Sequence, residues 1–216
     1  MKKTKKQQRR LSRGEIKLAV LPFAFLGVLI AVIPLGVPKA ANATTTVITS
    51  VISPVISFSN SNGTVNLNVT PGAANGNQTT SSDSITILSN DSSGYNVTLS
   101  NNSASVSALV PSSGGGSIPA SANSTPGVLA ADTWGYREDG FGSFGAGPTT
   151  PLASSITLSP LYYMPVPLSG SPVNIASPST YTGSGSQAYT IWYSVYAKNV
   201  QTNTYTATVL YTATTK

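Results

Sequence analysis

The chain has 216 residues, no Cys, no His and 8% charged residues, against about 25% in an average globular domain. This composition excludes disulfides, Cys/His zinc sites, His- or Cys-ligated haem, and Ser-His-Asp or Cys-His catalysis. The formal charge of +6 divides sharply by position: nine of the twelve basic residues precede residue 44, where Glu15 is the only acid, so this segment carries +8 and residues 44–216 carry −2.

Residues 1–43 read as an export leader. A cationic stretch ends at Lys17, an apolar run follows over residues 18–37, and Ala41-Asn42-Ala43 fits the small-residue cleavage pattern of a secretory signal peptide. Twenty apolar residues are also long enough to span a membrane, so the alternative is a retained N-terminal anchor with membrane contact through residues 18–37. Either way, residues 44–216 are expected outside the cytoplasm, the cations staying inside.

The exported part reads as all-β. Ser, Thr, Asn, Gly and Ala dominate, Pro and Gly recur throughout, and apolar residues come in short alternating runs. We expect one domain over residues 44–216, an antiparallel β-sandwich of Ig-like or jelly-roll-like type. In chain order, Val47–Phe58 repeats a Val-Ile pair every four residues, and its β-branched residues and Pro54 favour two short strand pieces bent at the proline over a helix. Val65, Leu67 and Val69 alternate with polar residues, as do Ile85 and Ile87 within Asp83–Ser89. Asn90–Gly94 predicts a turn, with only a faint likeness to a calcium loop, and Tyr95, Val97 and Leu99 open the next strand.

Further on, Pro111–Ser117 is a flexible turn, and the proline-rich stretch 160–178 is a loop-rich crossover with one or two short strands. Tyr189–Ala197 is apolar on both faces and predicts a central strand, with Ile191, Tyr193 and Val195 on one side and Trp192 and Tyr196 on the other. Tyr205–Ala213 alternates again and closes the chain.

Two constellations merit a chemical reading. Asp132–Asp139 holds three acids and Arg137 within eight residues. It offers paired carboxylates for glycoside cleavage or oxygen ligands for Ca2+. The simpler expectation is a strand running into a turn, with Arg137 neutralising a carboxylate, no catalytic residue, no metal and no cofactor. Trp134, Tyr136, Phe141 and Phe144 offer an aromatic platform for sugar rings. The competing reading puts Trp134 and Tyr136 in the core, with the two Phe anchoring a Gly-rich loop. Asn-x-Ser/Thr triplets recur, for example at Asn62, Asn68 and Asn90, as expected by chance in so polar a chain. Arg137, Lys198 and Lys216 are too few and scattered to form the basic face that nucleic acid requires.

The leader together with Ile48–Phe58, Gly94–Leu99, Thr133–Arg137, Ile191–Val195 and Tyr205–Ala213 resembles secreted surface proteins of candidate-phylum bacteria, and is distantly similar to WxL-type cell-surface domains. The resemblance implies an extracellular β-sandwich associated with the envelope. The chain departs from that pattern in lacking a clear Trp-x-Leu tripeptide. The function expected from these readings is an exported, non-enzymatic cell-surface protein with an adhesion or coat role. Its expected partners are the cell envelope or the glycans and proteins of a host or neighbouring cell surface. The alternatives are a polymerising pilin-like subunit that uses residues 47–58, and a carbohydrate-binding module.

Overall fold

The structure is a computed structural model that describes residues 47–71, 74–139, 144–155 and 161–216. The leader, its cleavage pattern and Phe141 lie outside the described residues. Residues 1–49 and 50–216 are two separate units, and the fold below is that of the second.

Among the described residues the fold is all-β, without α-helix, and its strand pairings are antiparallel. The strands are β1 (Ile56–Asn60), β2 (Asn77–Ser89), β3 (Tyr95–Asn101), β4 (Val110–Pro111), β5 (Thr133–Glu138), β6 (Leu152–Ser155), β7 (Val173–Ala176), β8 (Gln187–Ala197), β9 (Tyr205–Thr206) and β10 (Val209–Thr215). A five-stranded sheet runs β1-β2-β8-β5, with β6 also on β2; a three-stranded sheet runs β10-β3-β7; β4 and β9 form a small ribbon.

Strand β8 is central, as its two apolar faces predict. It pairs with β2 from Asn77↔Ala197 to Ile87↔Gln187, and with β5 from Thr133↔Tyr196 to Glu138↔Ile191. Ile191, Tyr193 and Val195 join Ile85, Ile87, Trp134 and Tyr136 in the main core. Val97 and Leu99 of β3 and Ile175 of β7 belong to the same core, so both larger sheets contribute to one apolar interior. On the other face of β8, Tyr196 packs against the smaller cluster of Leu129, Leu161 and Tyr163. That face is also polar: Gln78 Nε2 donates to Ser194 Oγ at 2.8 Å, Ser194 Oγ donates to the Thr79 carbonyl at 2.7 Å, and Thr80 Oγ1 meets the Tyr163 hydroxyl at 2.8 Å. These groups are buried, and pairing them removes the cost of taking them from water.

The turn after β2 forms as the Asn90–Gly94 pattern predicts. Asp91 Oδ1 accepts the Ser93 N–H at 2.9 Å, and Gly94 takes φ +88°. An added Cβ at Gly94 would lie 2.0 Å from the Pro178 carbonyl oxygen. Only glycine satisfies both the backbone angle and that contact.

The N-terminal part differs from the expected pair of strand pieces. Only Ile56–Asn60 pairs, as β1 against Ser89–Ile85 of β2. Residues 47–55 lie in no strand, and Val47, Ile48, Val51 and Ile52 are 81–91% exposed. The chain is pinned just before β1: Asn90 Oδ1 accepts the Val55 N–H at 2.6 Å, and Asn90 Nδ2 donates to the Ser53 carbonyl at 3.3 Å. Val65, Leu67 and Val69 also fall outside any strand, although their alternation survives in the burial and all three pack against the main core.

Candidate functional site

The acidic cluster is carried by β5 and the turns at its two ends. Period-2 alternation sends Arg137 to the face of Trp192, and Glu138 to the face of Trp134 and Tyr136. Arg137 is fully buried. Its Nη2 contacts Asp139 Oδ1 at 3.1 Å and donates to the Gly145 carbonyl at 2.9 Å. Asp139 Oδ2 accepts the Trp192 indole N–H at 2.7 Å. Asp132 sits at φ +60° and accepts the N–H groups of Lys198 and Asn199 at 2.6 and 2.8 Å, tying the turn after β8. Glu138 is 2% exposed. Burial, with Asp139 as a lesser cause, pushes its carboxyl up to about 8. The three acids therefore point to three different places: one to a turn, one to Arg137 and Trp192, one into the core. Among the described residues no group of three or more acids converges in the manner of a metal site.

The described aromatic candidates lie inside. Trp134 and Tyr136 are 2% and 3% exposed, and Phe144 is buried. Trp134 stacks on Tyr193 with ring centres 6.5 Å apart, and its indole N–H donates to the Ser107 carbonyl at 2.9 Å. Tyr136 meets Phe144 at 5.9 Å in a tilted contact. Burial pushes the Tyr136 hydroxyl up to about 12, with Glu138 as a lesser cause. These rings lend the core area and geometry, and all three are buried.

A cleft of about 680 Å³ is lined by Asn60 at the end of β1, by segment 63–69 and by residues 200–209 and Tyr211. Its floor includes Trp134, Tyr193 and Val195, and one wall is Val209 and Tyr211 of β10. The Tyr193 and Tyr211 hydroxyls share a hydrogen bond at 2.5 Å across it, and burial holds both hydroxyls well above the ordinary tyrosine range. Phe58 of β1 approaches Tyr211 with ring centres 6.3 Å apart, yet β1 and β10 exchange no strand pairing. Segment 64–69 forms a wall of the cleft, packs Val65, Leu67 and Val69 against the main core, and joins no described ladder. At its start Asp83 fixes the chain, accepting from Ser61 Oγ and the Asn62 N–H, each at 3.2 Å.

The cleft lies apart from the acidic cluster of β5 that dominates the sequence pattern. The alternation at Val65–Val69 and at Tyr205–Ala213 was its signal, but periodicity reports which side chains turn inward and says nothing of whether the two segments pair. Comparison with known protein families, with characterised proteins and with solved structures finds no match for this chain.

Proposed function

We propose that this chain is an exported, non-enzymatic protein of the cell surface, in which residues 44–216 form an antiparallel β-sandwich that works through contact, in an adhesion or coat role. The observation that carries the reading is the partition of charge: +8 before residue 44, ahead of and alongside an apolar run, then −2 over the folded part. A chain so divided keeps its cations on the inner side of a membrane and delivers the remainder outward. The described part supports a contact role. Its clustered ionisable groups are engaged in holding the fold: Asp132 at a turn, Asp139 on Arg137 and Trp192. Its outward strand faces carry hydroxyl side chains such as Thr212 and Thr214. The likeness to secreted β-domains of WxL type is part of the same proposal.

Localisation tests it. An epitope-tagged chain expressed from its own leader is followed through cell fractionation, washing and brief protease treatment of intact cells. The expected result is a wash-resistant surface signal that protease removes. A signal confined to the cytoplasm, or one found only in the medium, overturns the proposal. Mass spectrometry of the exported form, with Thr44 as N-terminus or a peptide crossing Ala43–Thr44, distinguishes a cleaved leader from an anchor.

A further inference from the structure

Two features of the described chain are complementary. One is an apolar arm: Val47, Ile48, Val51, Ile52 and Val55 are 62–91% exposed, in a segment outside any strand that Asn90 holds at Ser53 and Val55. So many branched apolar side chains, contiguous and in water, mark a contact surface. The other is β10. It pairs with β3 from Val209↔Asn101 to Thr215↔Tyr95, and no described strand occupies its other edge. An edge strand with open N–H and C=O groups is a template for a further strand.

We propose that the arm, residues 47–55, of one copy adds as a strand to the free edge of β10 in a second copy, over the cleft lined by Val209 and Tyr211. This deepens the contact role proposed above and rests on it. As a strand, the arm would place Val47, Val51 and Val55 on one face and Ile48 and Ile52 on the other. Both faces of β10 suit it. Val209, Tyr211 and Ala213 are half-buried and pack on the main core, while Leu210 on the outward face is 47% exposed. Backbone pairing supplies the bonds, and the cleft receives the alternate side chains, which is how extended segments augment a sheet. Segment 64–69 walls the cleft opposite β10, and Val65, Leu67 and Val69 keep its lining apolar. Pro54 has no N–H to give, so it lies at the end of the paired stretch or faces away from β10. The clamp holds Val55 just before β1, and the apolar side chains before it are exposed. Because arm and edge are different patches, copies that do not exchange arms pairwise are left with one open arm and one open edge, and repetition then builds a linear chain of copies.

The absence of Cys from the chain makes the test clean. Two full-length proteins, one carrying Val51→Cys and the other Thr212→Cys, are mixed under mild oxidation. Both positions are exposed, so folding is undisturbed. The expected product is a disulfide-linked heterodimer, which only an intermolecular contact can make, and the double variant gives a ladder of multimers. Adding Ile52→Asp to the Val51→Cys protein should lower the heterodimer yield at least tenfold with unchanged Tm. A heterodimer yield no higher than that of a control pair, Val51→Cys with Ser113→Cys, overturns the inference. So does co-sedimentation of the arm with lipid vesicles, of zwitterionic or anionic lipid, that Ile52→Asp abolishes while no heterodimer forms: the arm then serves a membrane. A protein that reaches the cell surface but stays monomeric overturns strand addition alone; one that never leaves the cytoplasm overturns the proposed function.

Discussion

The indole N–H of Trp192 donates to Asp139 Oδ2 at 2.7 Å while the other oxygen of that carboxylate faces Arg137 at 3.1 Å. Asp139 thus holds the turn after β5 to the middle of β8 and balances a fully buried guanidinium. Arg137 has one nitrogen, Nη1, already without a hydrogen bond, so little else stands ready to replace the carboxylate. Asp139→Ala should cost about 3 kcal/mol, the penalty of leaving a buried charge unpaired, with part of it relieved because Asp139 is itself 30% exposed. The double variant Arg137→Met, Asp139→Leu should be less destabilised than the single one. Urea unfolding of the three proteins checks the order, and equal losses would mean the pair is not coupled.

Glu138 sets a pH dependence. Burial pushes its carboxyl from the ordinary 4.5 of an unfolded chain up to about 8 in the fold. The folded state therefore binds more protons between those values, and stability falls as pH rises through the window. The contribution is complete below about pH 4.5 and lost by about pH 8, a swing on the order of a few kcal/mol. Glu138→Gln keeps the shape and removes the titration. It should stabilise the protein at pH 8 and do little at pH 4.5, as read from Tm at both pH values. An unchanged slope would place the titration elsewhere.

Trp134 is core rather than platform. It is 2% exposed, stacked on Tyr193 and bonded to the Ser107 carbonyl. Trp134→Ala should cost about 3–5 kcal/mol and abolish near-ultraviolet ellipticity from the packed rings. Trp134→Phe should lose less. Acrylamide should quench the native protein weakly, since Trp192 is also buried. Strong quenching would contradict this placement.

Gly94 resists replacement on two counts. Alanine there meets both a left-handed φ and a carbonyl oxygen 2.0 Å from its methyl carbon. Gly94→Ala should destabilise by more than about 1 kcal/mol, whereas Gly116→Ala, with open space around its Cβ position, should change Tm little. Thermal melts of the two variants give the comparison directly.

The all-β class was legible because apolar residues alternate or run through in short stretches. Strand β8 stood out since a strand buried on both faces must be apolar on both. The first half of β2 did not. Gln78, Thr79 and Thr80 look like loop residues, and they are buried only because Ser194 and Tyr163 answer them from elsewhere in the chain. Such pairing lies beyond any local pattern. The segment before β1 misleads in the opposite direction: Val47–Val55 has strand chemistry but no strand partner among the described residues. The role of Arg137 as neutraliser of a neighbouring carboxylate was readable from spacing, while the inward turn of Glu138 followed only once β5 was placed against β8.

The seam of Gln78, Thr80, Ser194 and Tyr163 between β2, β8 and the overlying segment is built from amide and hydroxyl groups rather than ion pairs. Its grip owes little to ionic attraction, so dissolved salt has little to screen. A seam stitched this way holds equally in dilute and saline surroundings.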